Sequence, residues 1–303
     1  MDKHIPGLHH VTAICGAPQA NVDFYRGVLG QHLIKKTVNF DDPGTYHLYY
    51  GDAAGHPGTI LTFFPFVNAG PGRAGPGMAS AFAYGLSKSE FDLAVARLGA
   101  LAQNRGALET RFGARILSLR DPDGATVELV EMDAGPADGH AFHSVTLWLR
   151  DTDRTARLLT DVFGYVAAGE ERLGPVTRLR LQAPGQERGN VVDLIRHDAP
   201  MQGRSGAGTI HHVAFRATTQ DAQHAWQERL ASAGHRTTEV IDRQYFNAIY
   251  FREPGGVLFE IATDPPGFAV DEPADALGRR LMLPPQYEPM RARIERALPP
   301  LSA

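Results

Sequence analysis

Hydrophobic and polar positions recur along the chain in four similar units. Each unit begins with a short strand-like run, continues with apolar residues at helical spacing, and ends with three more strand-like runs. In the fourth unit, Trp226 and Leu230 mark the apolar face of the helix, and Gly234 is typical of a residue that follows a helix end. The strands expected after this helix cover residues 237–240, 248–251 and 257–261.

Repeated sequence supports this division. Residues 8–13 (LHHVTA) resemble residues 210–215 (IHHVAF) and 142–147 (FHSVTL), while residues 121–128 (DPDGATVE) resemble residues 253–260 (EPGGVLFE). The repeats predict four βαβββ units and an α+β fold, in which helices lie on one face of mixed, curled sheets. The predicted units cover residues 8–66, 78–133, 140–197 and 208–264.

Chain length and glycine-rich segments indicate how the units are grouped. A chain of 303 residues is expected to form two domains. Linkers rich in glycine are expected at residues 70–77, 135–139 and 203–208. The predicted division is an N-terminal domain over residues 1–134, a C-terminal domain over 135–264 and a tail over 265–303, with a helix near 287–297.

Composition excludes several classes of protein. The chain is 43% hydrophobic and 21% charged, which excludes a disordered protein, and its net charge of −4 comes without basic clusters. We therefore expect neither nucleic-acid nor membrane binding. No apolar run reaches the ~18 residues of a membrane span, and residues 1–4 do not begin a signal peptide, so the expected location is the cytoplasm. Cys15 is the single cysteine, which excludes an intrachain disulfide.

One apparent nucleotide-binding motif is interpreted as a linker. Residues 70–75 (GPGRAG) match the pattern G-x-G-x-x-G, but that motif needs a preceding strand and a helix that opens on the glycines. Pro71, Pro76 and Gly77 interrupt any such helix, so dinucleotide binding is disfavoured.

The 13 histidines include two His-His pairs, at equivalent places in the first and fourth units. Laying the four units over one another compares the histidine of the first strand with the carboxylate of the last strand. The compared positions are His10 and Thr62 in unit one, Ser80 and Glu128 in unit two, Ser144 and Asp193 in unit three, and His212 and Glu260 in unit four. A single histidine in a strand is more often a core or surface residue than a ligand, but the repetition favours a metal site.

The metal-ligand set depends on which units face each other. Units one and four together supply His10, His212 and Glu260, the two imidazoles and one carboxylate of the non-haem Fe(II) oxygenases. Units one and two would supply only His10 and Glu128, and units three and four would supply His212, Glu260 and Asp193. The spacing leaves open which histidine of each pair faces inward, since adjacent strand residues point to opposite sides.

The four-unit plan and these motifs resemble the vicinal oxygen chelate superfamily, which includes glyoxalase I, bleomycin-resistance proteins and extradiol dioxygenases. More specifically, nearly the whole chain resembles the hydroquinone ring-cleaving dioxygenases, such as the dichlorohydroquinone 1,2-dioxygenases. The segments that carry the resemblance are residues 8–12 (LHHVT), 45–51 (TYHLYYG), 210–215 (IHHVAF), 242–246 (DRQYF), 249–252 (IYFR) and 259–264 (FEIATD). The resemblance implies paired glyoxalase-like modules, whose two curled sheets surround a metal cleft formed by the first and last units.

The resemblance also implies a metal and its ligands. His10, His212 and Glu260 would bind Fe(II), with Mn(II) as an alternative metal. The positions that surround the metal in the family correspond to His9, Thr12, His211, Arg243 and Tyr250.

These surrounding residues have both functional and structural interpretations. Arg243 would stabilise negative charge that develops on the substrate, while Tyr250 and His211 would form hydrogen bonds and transfer protons. The alternatives are a surface salt bridge for Arg243 and simple packing for Tyr250. The tyrosines of the third strand-like run are expected to be core and sheet-face residues rather than ligand contacts: Tyr46, Tyr49 and Tyr50.

The implied activity is the ring cleavage of a hydroquinone-type aromatic diol, with incorporation of both atoms of O2. The nearest alternative is a catechol-type extradiol dioxygenase, because the metal ligands are the same. A glyoxalase-like isomerase or lyase with Zn(II) would need a carboxylate or amide in place of Thr62, and a metal-free binding protein would not need the ligand set. The expected partners are a small aromatic diol, O2 and, since paired units often dimerise, a second copy of the chain.

Overall fold

The computed structural model describes residues 3–100, 105–133, 138–197 and 202–302. Within these ranges the chain forms two eight-stranded mixed sheets and five α-helices, in the predicted order of four βαβββ units. The predicted α+β fold with paired modules and two curled sheets is therefore confirmed. The predicted domain boundary between residues 134 and 135 lies outside the described residues.

The helices and strands of the four units have the following bounds. Unit one contains β1 (Leu8–Cys15), α1 (Pro18–Val22), β2 (His32–Asn39), β3 (Asp42–Gly51) and β4 (Ile60–Pro65). Unit two contains β5 (Met78–Ser87), α2 (Lys88–Ala100), β6 (Arg105–Arg111), β7 (Ala114–Arg120) and β8 (Thr126–Met132). Unit three contains β9 (Asp138–Leu149), α3 (Asp153–Arg157), β10 (Val166–Leu173), β11 (Val176–Gln182) and β12 (Val191–Arg196). Unit four contains β13 (Thr209–Ala217), α4 (Gln220–Ser232), β14 (Ile241–Asp242), β15 (Phe246–Arg252) and β16 (Leu258–Pro266). π-Helical turns over Asp23–Val28 and Leu158–Val162 extend α1 and α3.

One predicted strand is wrong. Residues 237–240 have no regular strand structure, and β14 begins only at Ile241. The reason is that Thr238 joins β15 irregularly: its N–H donates to the carbonyl of Tyr250, while its side-chain hydroxyl accepts from the Tyr250 N–H. Its own carbonyl accepts instead from the side chain of Gln227 in α4.

The two sheets pair the units differently from their order in the chain. Sheet one has the strand order β14-β15-β16-β13-β1-β4-β3-β2, so it joins units one and four. Sheet two has the order β10-β11-β12-β9-β5-β8-β7-β6, so it joins units two and three. At the middle of sheet one, β1 runs antiparallel to β13 and parallel to β4, while β13 runs parallel to β16.

The main hydrophobic cluster extends across both sheets. Alternate residues of β1, such as Val11 and Ala13, belong to this cluster, while the whole strand is buried because its other face lines a cleft. The ring of Phe163 at the end of the unit-three helical segment packs 4.9 Å from that of Phe215 in β13. These contacts hold sheet one against the helices of the neighbouring unit.

The C-terminal tail packs along the edge of sheet one. Lys35 in β2 is fully buried and donates to the carboxylates of Asp271 and Glu272 at 2.6 and 2.7 Å. The hydroxyl of Tyr287 donates to the carbonyl of Phe40 at 2.7 Å. The predicted terminal helix is present as α5 (Arg291–Ala297), preceded by a 3-10 turn over Glu288–Met290. None of the helices in the described ranges is long and apolar enough to cross a membrane.

Candidate metal centre

His10, His212 and Glu260 meet at the centre of sheet one. The Nε2 atoms of His10 and His212 are 3.2 Å apart, and they lie 3.3 and 2.9 Å from the same carboxylate oxygen of Glu260, Oε2. All three side chains are buried. The strand pairing explains the meeting, because β1, β13 and β16 lie side by side although the residues are far apart in sequence. These three groups form the one cluster of potential metal ligands identified within the described ranges.

Two β-bulges bring the side chains of both histidines of each pair into contact with each other. The register of β1 against β13 shifts between Leu8 and His10, and shifts again opposite His211. A bulge places two successive residues opposite one partner residue, so the usual alternation of faces is lost there. Accordingly, Nδ1 of His9 lies 2.9 Å from Nδ1 of His10. Nδ1 of His211 lies 2.8 Å from Nδ1 of His212 in the same way.

These contacts hold Nδ1 of each inner histidine, while the two Nε2 atoms face each other and Glu260, where a metal would bind. A metal-binding histidine usually uses one ring nitrogen for the metal and the other for a hydrogen bond that fixes the ring. Burial, and then the charge of His10, lowers the pKa of His9, so His9 is neutral at its place behind His10. Burial of the ring, and then the charge of His212, lowers the pKa of His211 to about 4, although the residue as a whole is exposed.

Glu260 shows most directly that the site fits a cation. Its side chain is 0% exposed, and neither carboxylate oxygen has a hydrogen-bond partner among the described residues, although both imidazoles lie close to it. Although burial favours the protonated acid, the two imidazoles hold the pKa of Glu260 below its usual range. An ionised carboxylate that is buried without hydrogen bonds is costly, and a divalent ion bound to it and to the two Nε2 atoms would remove that cost.

A cavity of about 280 Å³ opens beside these three residues. Aromatic and apolar side chains supply much of its wall: Phe40, Phe64, Phe66, Phe246 and Leu258. Of the predicted surrounding residues, Thr12, His211, Arg243 and Tyr250 also line the cavity, whereas His9 does not. An apolar cavity with a few polar groups at one side suits a small aromatic molecule.

Arg243 and Tyr250 form one polar wall of the cavity. Nε of Arg243 donates to the Tyr250 hydroxyl at 3.3 Å, and Nη1 donates to the carboxylate of Asp41 at 3.2 Å. The guanidinium also lies 5.5 Å from the centre of the Tyr250 ring. Burial, and then the negative charge of Glu260, raises the pKa of Tyr250, which keeps its hydroxyl protonated. Tyr250 is therefore a hydrogen-bond donor beside the candidate metal position.

His47 is a cavity residue to which the sequence motifs assign no role. It lies in β3, and its Nε2 is 2.9 Å from the hydroxyl of Thr62, while its Nδ1 is 2.8 Å from the hydroxyl of Tyr49. Tyr46, Tyr49 and Tyr50 are buried as expected, but Tyr49 also lines the cavity. The sequence feature that indicates His47 as a cavity residue is the alternation in β3, where His47 and Tyr49 are two residues apart and share a face.

Sheet two contains a second cleft built from the same positions of the repeat. The register places Ser144 where sheet one has His10, Asp193 where it has Thr62, and Glu128 where it has Glu260. Ala81 pairs with Thr146, which is the equivalent of Thr12, and Thr12 pairs with His212. The equivalent of His212 is therefore Ala81. The predicted Ser80 is therefore wrong by one residue, because Ser80 occupies the bulge.

Arginines neutralise the carboxylates of this second cleft, beside a cavity of about 430 Å³. Arg111 makes two contacts with Glu128, at 2.8 and 2.9 Å, and Arg180 makes two with Asp193, at 2.8 and 2.9 Å. Arg178 also donates to Asp193, at 3.0 Å. The carboxylates of this cleft are thus neutralised by guanidinium groups.

Comparison with known proteins shows the family. A family model described as the glyoxalase/bleomycin resistance protein/dioxygenase superfamily matches residues 7–129 and 141–261. The chain belongs to this superfamily. The predicted resemblance to it is thereby confirmed.

Curated relatives match over nearly the whole chain. "Putative ring-cleaving dioxygenase MhqO" of Bacillus subtilis is 46% identical over 312 residues, which cover 99% of this chain and 98% of that protein. The chlorohydroquinone/hydroquinone 1,2-dioxygenase of Sphingobium indicum is 31% identical over 317 residues, which cover 98% and 97%. These relationships identify the chain as an enzyme of the ring-cleaving dioxygenases of this superfamily, as predicted.

Solved structures agree on the fold. A crystal structure of a "putative dioxygenase" from Bacillus subtilis superposes with a TM-score of 0.92 at 43% identity, covering 99% of both chains. Glyoxalase I from Zea mays superposes with a TM-score of 0.64 at 15% identity, covering 85% of this chain and 92% of that one. The similarity to glyoxalase I shows a shared fold and nothing more.

Proposed function

We propose that the protein is an Fe(II)-dependent dioxygenase that opens the ring of a hydroquinone-type (1,4-diol) aromatic compound and incorporates both atoms of O2. The proposal places the enzyme in the breakdown of aromatic compounds, in the cytoplasm. The observation that carries it is the buried meeting of His10, His212 and Glu260, with the carboxylate of Glu260 left without hydrogen bonds. A 1,4-diol is favoured over a catechol by the 31% identical relative that is named a chlorohydroquinone/hydroquinone 1,2-dioxygenase.

The donor set suits Fe(II). His10 and His212 would supply two neutral nitrogen ligands and Glu260 one anionic oxygen, which leaves several coordination positions open. When bound, Fe(II) would supply an open face for the substrate oxygen and O2 and an electron for oxygen. Mn(II) accepts the same ligands.

The protein's own residues would bind and orient the substrate. The aromatic ring would lie against Phe64 and Phe246, which exclude water from the cavity. Arg243 is fixed between Asp41 and Tyr250, so its positive charge is available to stabilise negative charge that develops on the ring oxygen. Tyr250 would donate a hydrogen bond and a proton from its hydroxyl, while His211 would fix His212.

The isomerase alternative is disfavoured by the surroundings of Thr62. That activity would require a fourth ligand at this position, but the Thr62 hydroxyl is already bonded to Thr12 at 2.8 Å and to His47 at 2.9 Å. A catechol-type extradiol dioxygenase would use the same ligand set, so substrate tests must separate it from the 1,4-diol enzyme.

The test is reconstitution of the purified protein with Fe(II) in the absence of oxygen, followed by measurement of O2 uptake and ring-opened product. Hydroquinones and catechols are offered as substrates, and Zn(II) replaces Fe(II) in a parallel series. We expect uptake with hydroquinones, loss of uptake in His212→Ala, and retention in His143→Ala, the matched histidine change in sheet two. Uptake with catechols alone would overturn the substrate assignment, and full activity of His212→Ala would overturn the metal site.

A further inference from the structure

Four polar side chains form a continuous hydrogen-bonded chain along one wall of the cavity. The hydroxyl of Thr12 lies 2.8 Å from that of Thr62, which lies 2.9 Å from Nε2 of His47. Nδ1 of His47 lies 2.8 Å from the hydroxyl of Tyr49. All four residues are buried. This chain, Thr12–Thr62–His47–Tyr49, is called the hydroxyl–imidazole chain below.

The central imidazole is held in a fixed position. The ring of His47 lies between those of Tyr49 and Phe64, with ring centres 4.0 and 4.4 Å away. Burial, and then the charges of His10 and His212, lowers the pKa of His47, so the ring is neutral. A neutral imidazole has one N–H donor and one nitrogen acceptor, which lets it receive a hydrogen bond on one side while it donates on the other.

The number of hydrogens allows the chain to adopt two directions. The four side chains carry four hydrogens on oxygen or nitrogen, one each, but three contacts between them use only three. When the hydrogens point toward Tyr49, the spare hydrogen is on Tyr49 and Thr12 offers a free lone pair to the cavity. When they point toward Thr12, the spare hydrogen is on Thr12. No further partner of either terminal hydroxyl occurs in the described part of the chain.

The two ends of the chain lie at different parts of the cavity. Thr12 is two residues from His10 on the same face of β1, so it lies beside the candidate metal position. Tyr49 also lines the cavity, and its hydroxyl is close enough to Tyr250 and Glu260 for their charges to raise its pKa, after the larger effect of burial. The chain therefore joins two positions of the cavity wall, one beside His10 and one at Tyr49.

We propose that the hydroxyl–imidazole chain is a proton relay that takes a proton from the substrate hydroxyl at Thr12 and returns one at Tyr49. The proposal rests on the proposed diol dioxygenase function. The substrate O–H proton passes to Thr12, the Thr12 proton to Thr62, and the Thr62 proton to Nε2 of His47. The Nδ1 proton of His47 passes to Tyr49, and the Tyr49 proton passes to an oxygen atom that O2 has added to the ring. No proton is gained or lost overall, since the ring-opened product contains all atoms of the diol and O2. After the product leaves, Thr12 releases one proton to water and Tyr49 takes one from water, which returns the chain to its first direction.

The second cleft supports this assignment by contrast. Its register places Arg178 where His47 lies, Asp193 where Thr62 lies, and Arg180 where Tyr49 lies. An arginine only donates hydrogen bonds, so no relay of alternating donors and acceptors can form there. The relay residues thus occur in the same cleft as the candidate metal ligands.

The test uses Thr62→Val, which removes one hydroxyl at nearly constant volume and interrupts the relay. We expect kcat of the metal-loaded enzyme to fall roughly 100-fold, as is typical for loss of a proton-transfer group, with KM changed less than about threefold. The solvent deuterium isotope effect on kcat should fall as well, while bound metal stays constant. Thr62→Ser, which keeps the hydroxyl, should restore most of kcat and of the isotope effect. Tyr49→Phe, at the other end of the chain, should lower kcat and the isotope effect as Thr62→Val does.

The matched control is Thr146→Val in sheet two, at the position equivalent to Thr12, which should leave kcat and the isotope effect unchanged. Equal loss in Thr62→Val and Thr62→Ser, or wild-type kcat and isotope effect in Thr62→Val, would overturn the relay.

A measurement without turnover separates the relay from the proposed function. In the absence of O2, the metal-loaded protein is mixed with a hydroquinone, water takes the Tyr49 proton in place of the oxygen atom added to the ring, and phenolate formation is followed by ultraviolet absorbance. Slower formation in Thr62→Val than in Thr62→Ser would support the relay even for a protein that opens no ring. Equal rates would overturn it even with normal O2 uptake.

Discussion

Sheet one and sheet two each enclose a cleft lined by the same positions of the repeated unit. In sheet one, Glu260 lies against two imidazoles and has no hydrogen-bond partner among the described residues, while in sheet two Glu128 is held by Arg111 at 2.8 and 2.9 Å. The backbone register around the two glutamates is the same, since Tyr250 pairs with Glu260 as Ser118 pairs with Glu128. Whether a cleft of this fold can bind metal therefore depends on the groups that neutralise the carboxylate.

The equivalent arginines are one part of this difference, beside the replacement of both histidines by Ser144 and Ala81. Arg243 follows β14 and its N–H bonds to the carbonyl of Phe246, just as Arg111 ends β6 and pairs with Ala114. Arg111 reaches the glutamate of its cleft, whereas Arg243 turns to Tyr250 and Asp41. Diverting one guanidinium leaves room for a cation at Glu260.

The largest expected effect comes from changing the two glutamates in parallel. Glu260→Gln removes the anionic ligand, so we expect kcat/KM with the diol to fall roughly a thousandfold or more and bound iron to be lost. Glu128→Gln should keep both, because its cleft takes no part in the reaction. Measurement of iron content and O2 uptake in the two variants checks this, and iron retained by Glu260→Gln would contradict the comparison.

A smaller effect is expected on stability, in the opposite cleft. Asp193→Asn removes the partner of Arg178 and Arg180, and breaking a buried ion pair costs about 3 kcal/mol of unfolding free energy. Despite burial, the two arginines hold the pKa of Asp193 below its usual value, so its stabilisation is present near neutral pH and is lost as the pH falls through that lowered pKa.

Urea unfolding at pH 7 and in the acid range measures the difference between Asp193→Asn and the wild type. The difference should shrink toward acid pH while O2 uptake at pH 7 stays normal. A cost that does not change with pH would show that the carboxylate charge is not its source.

The smallest expected effect tests the diversion of Arg243. The carboxylate of Asp41 is 76% exposed, and an ion pair of this kind is worth at most about 1 kcal/mol, or about a fivefold change in an equilibrium. Asp41→Asn should therefore weaken Fe(II) binding by fivefold or less, as Arg243 gains freedom to approach Glu260. Titration with Fe(II) measures this, and tighter binding in Asp41→Asn would contradict the role given to Asp41.

Much of the fold is predictable because strand and helix periodicities repeat four times with similar motifs. The candidate metal ligands are predictable because His-His pairs occur in two units and a glutamate ends the last strand. The position of Ala81 is not, since unit two has one residue fewer than unit four between the first and last strands, which shifts the register without changing the motif. His47 also escapes prediction, because its importance depends on Thr62 and Tyr49, which only the folded sheet brings to its two nitrogens.

The central pairing of β1 with β13 also has a consequence for biosynthesis. Units two and three are contiguous in the chain, so sheet two can assemble while the C-terminal part is still being made. Because β13 is synthesised after β1 and β4, the edge of β1 that pairs with β13 stays unpaired until the ribosome has made β13. The nascent protein could therefore acquire the proposed metal only near the end of translation, because a product that stops before Glu260 lacks one of the three candidate ligands.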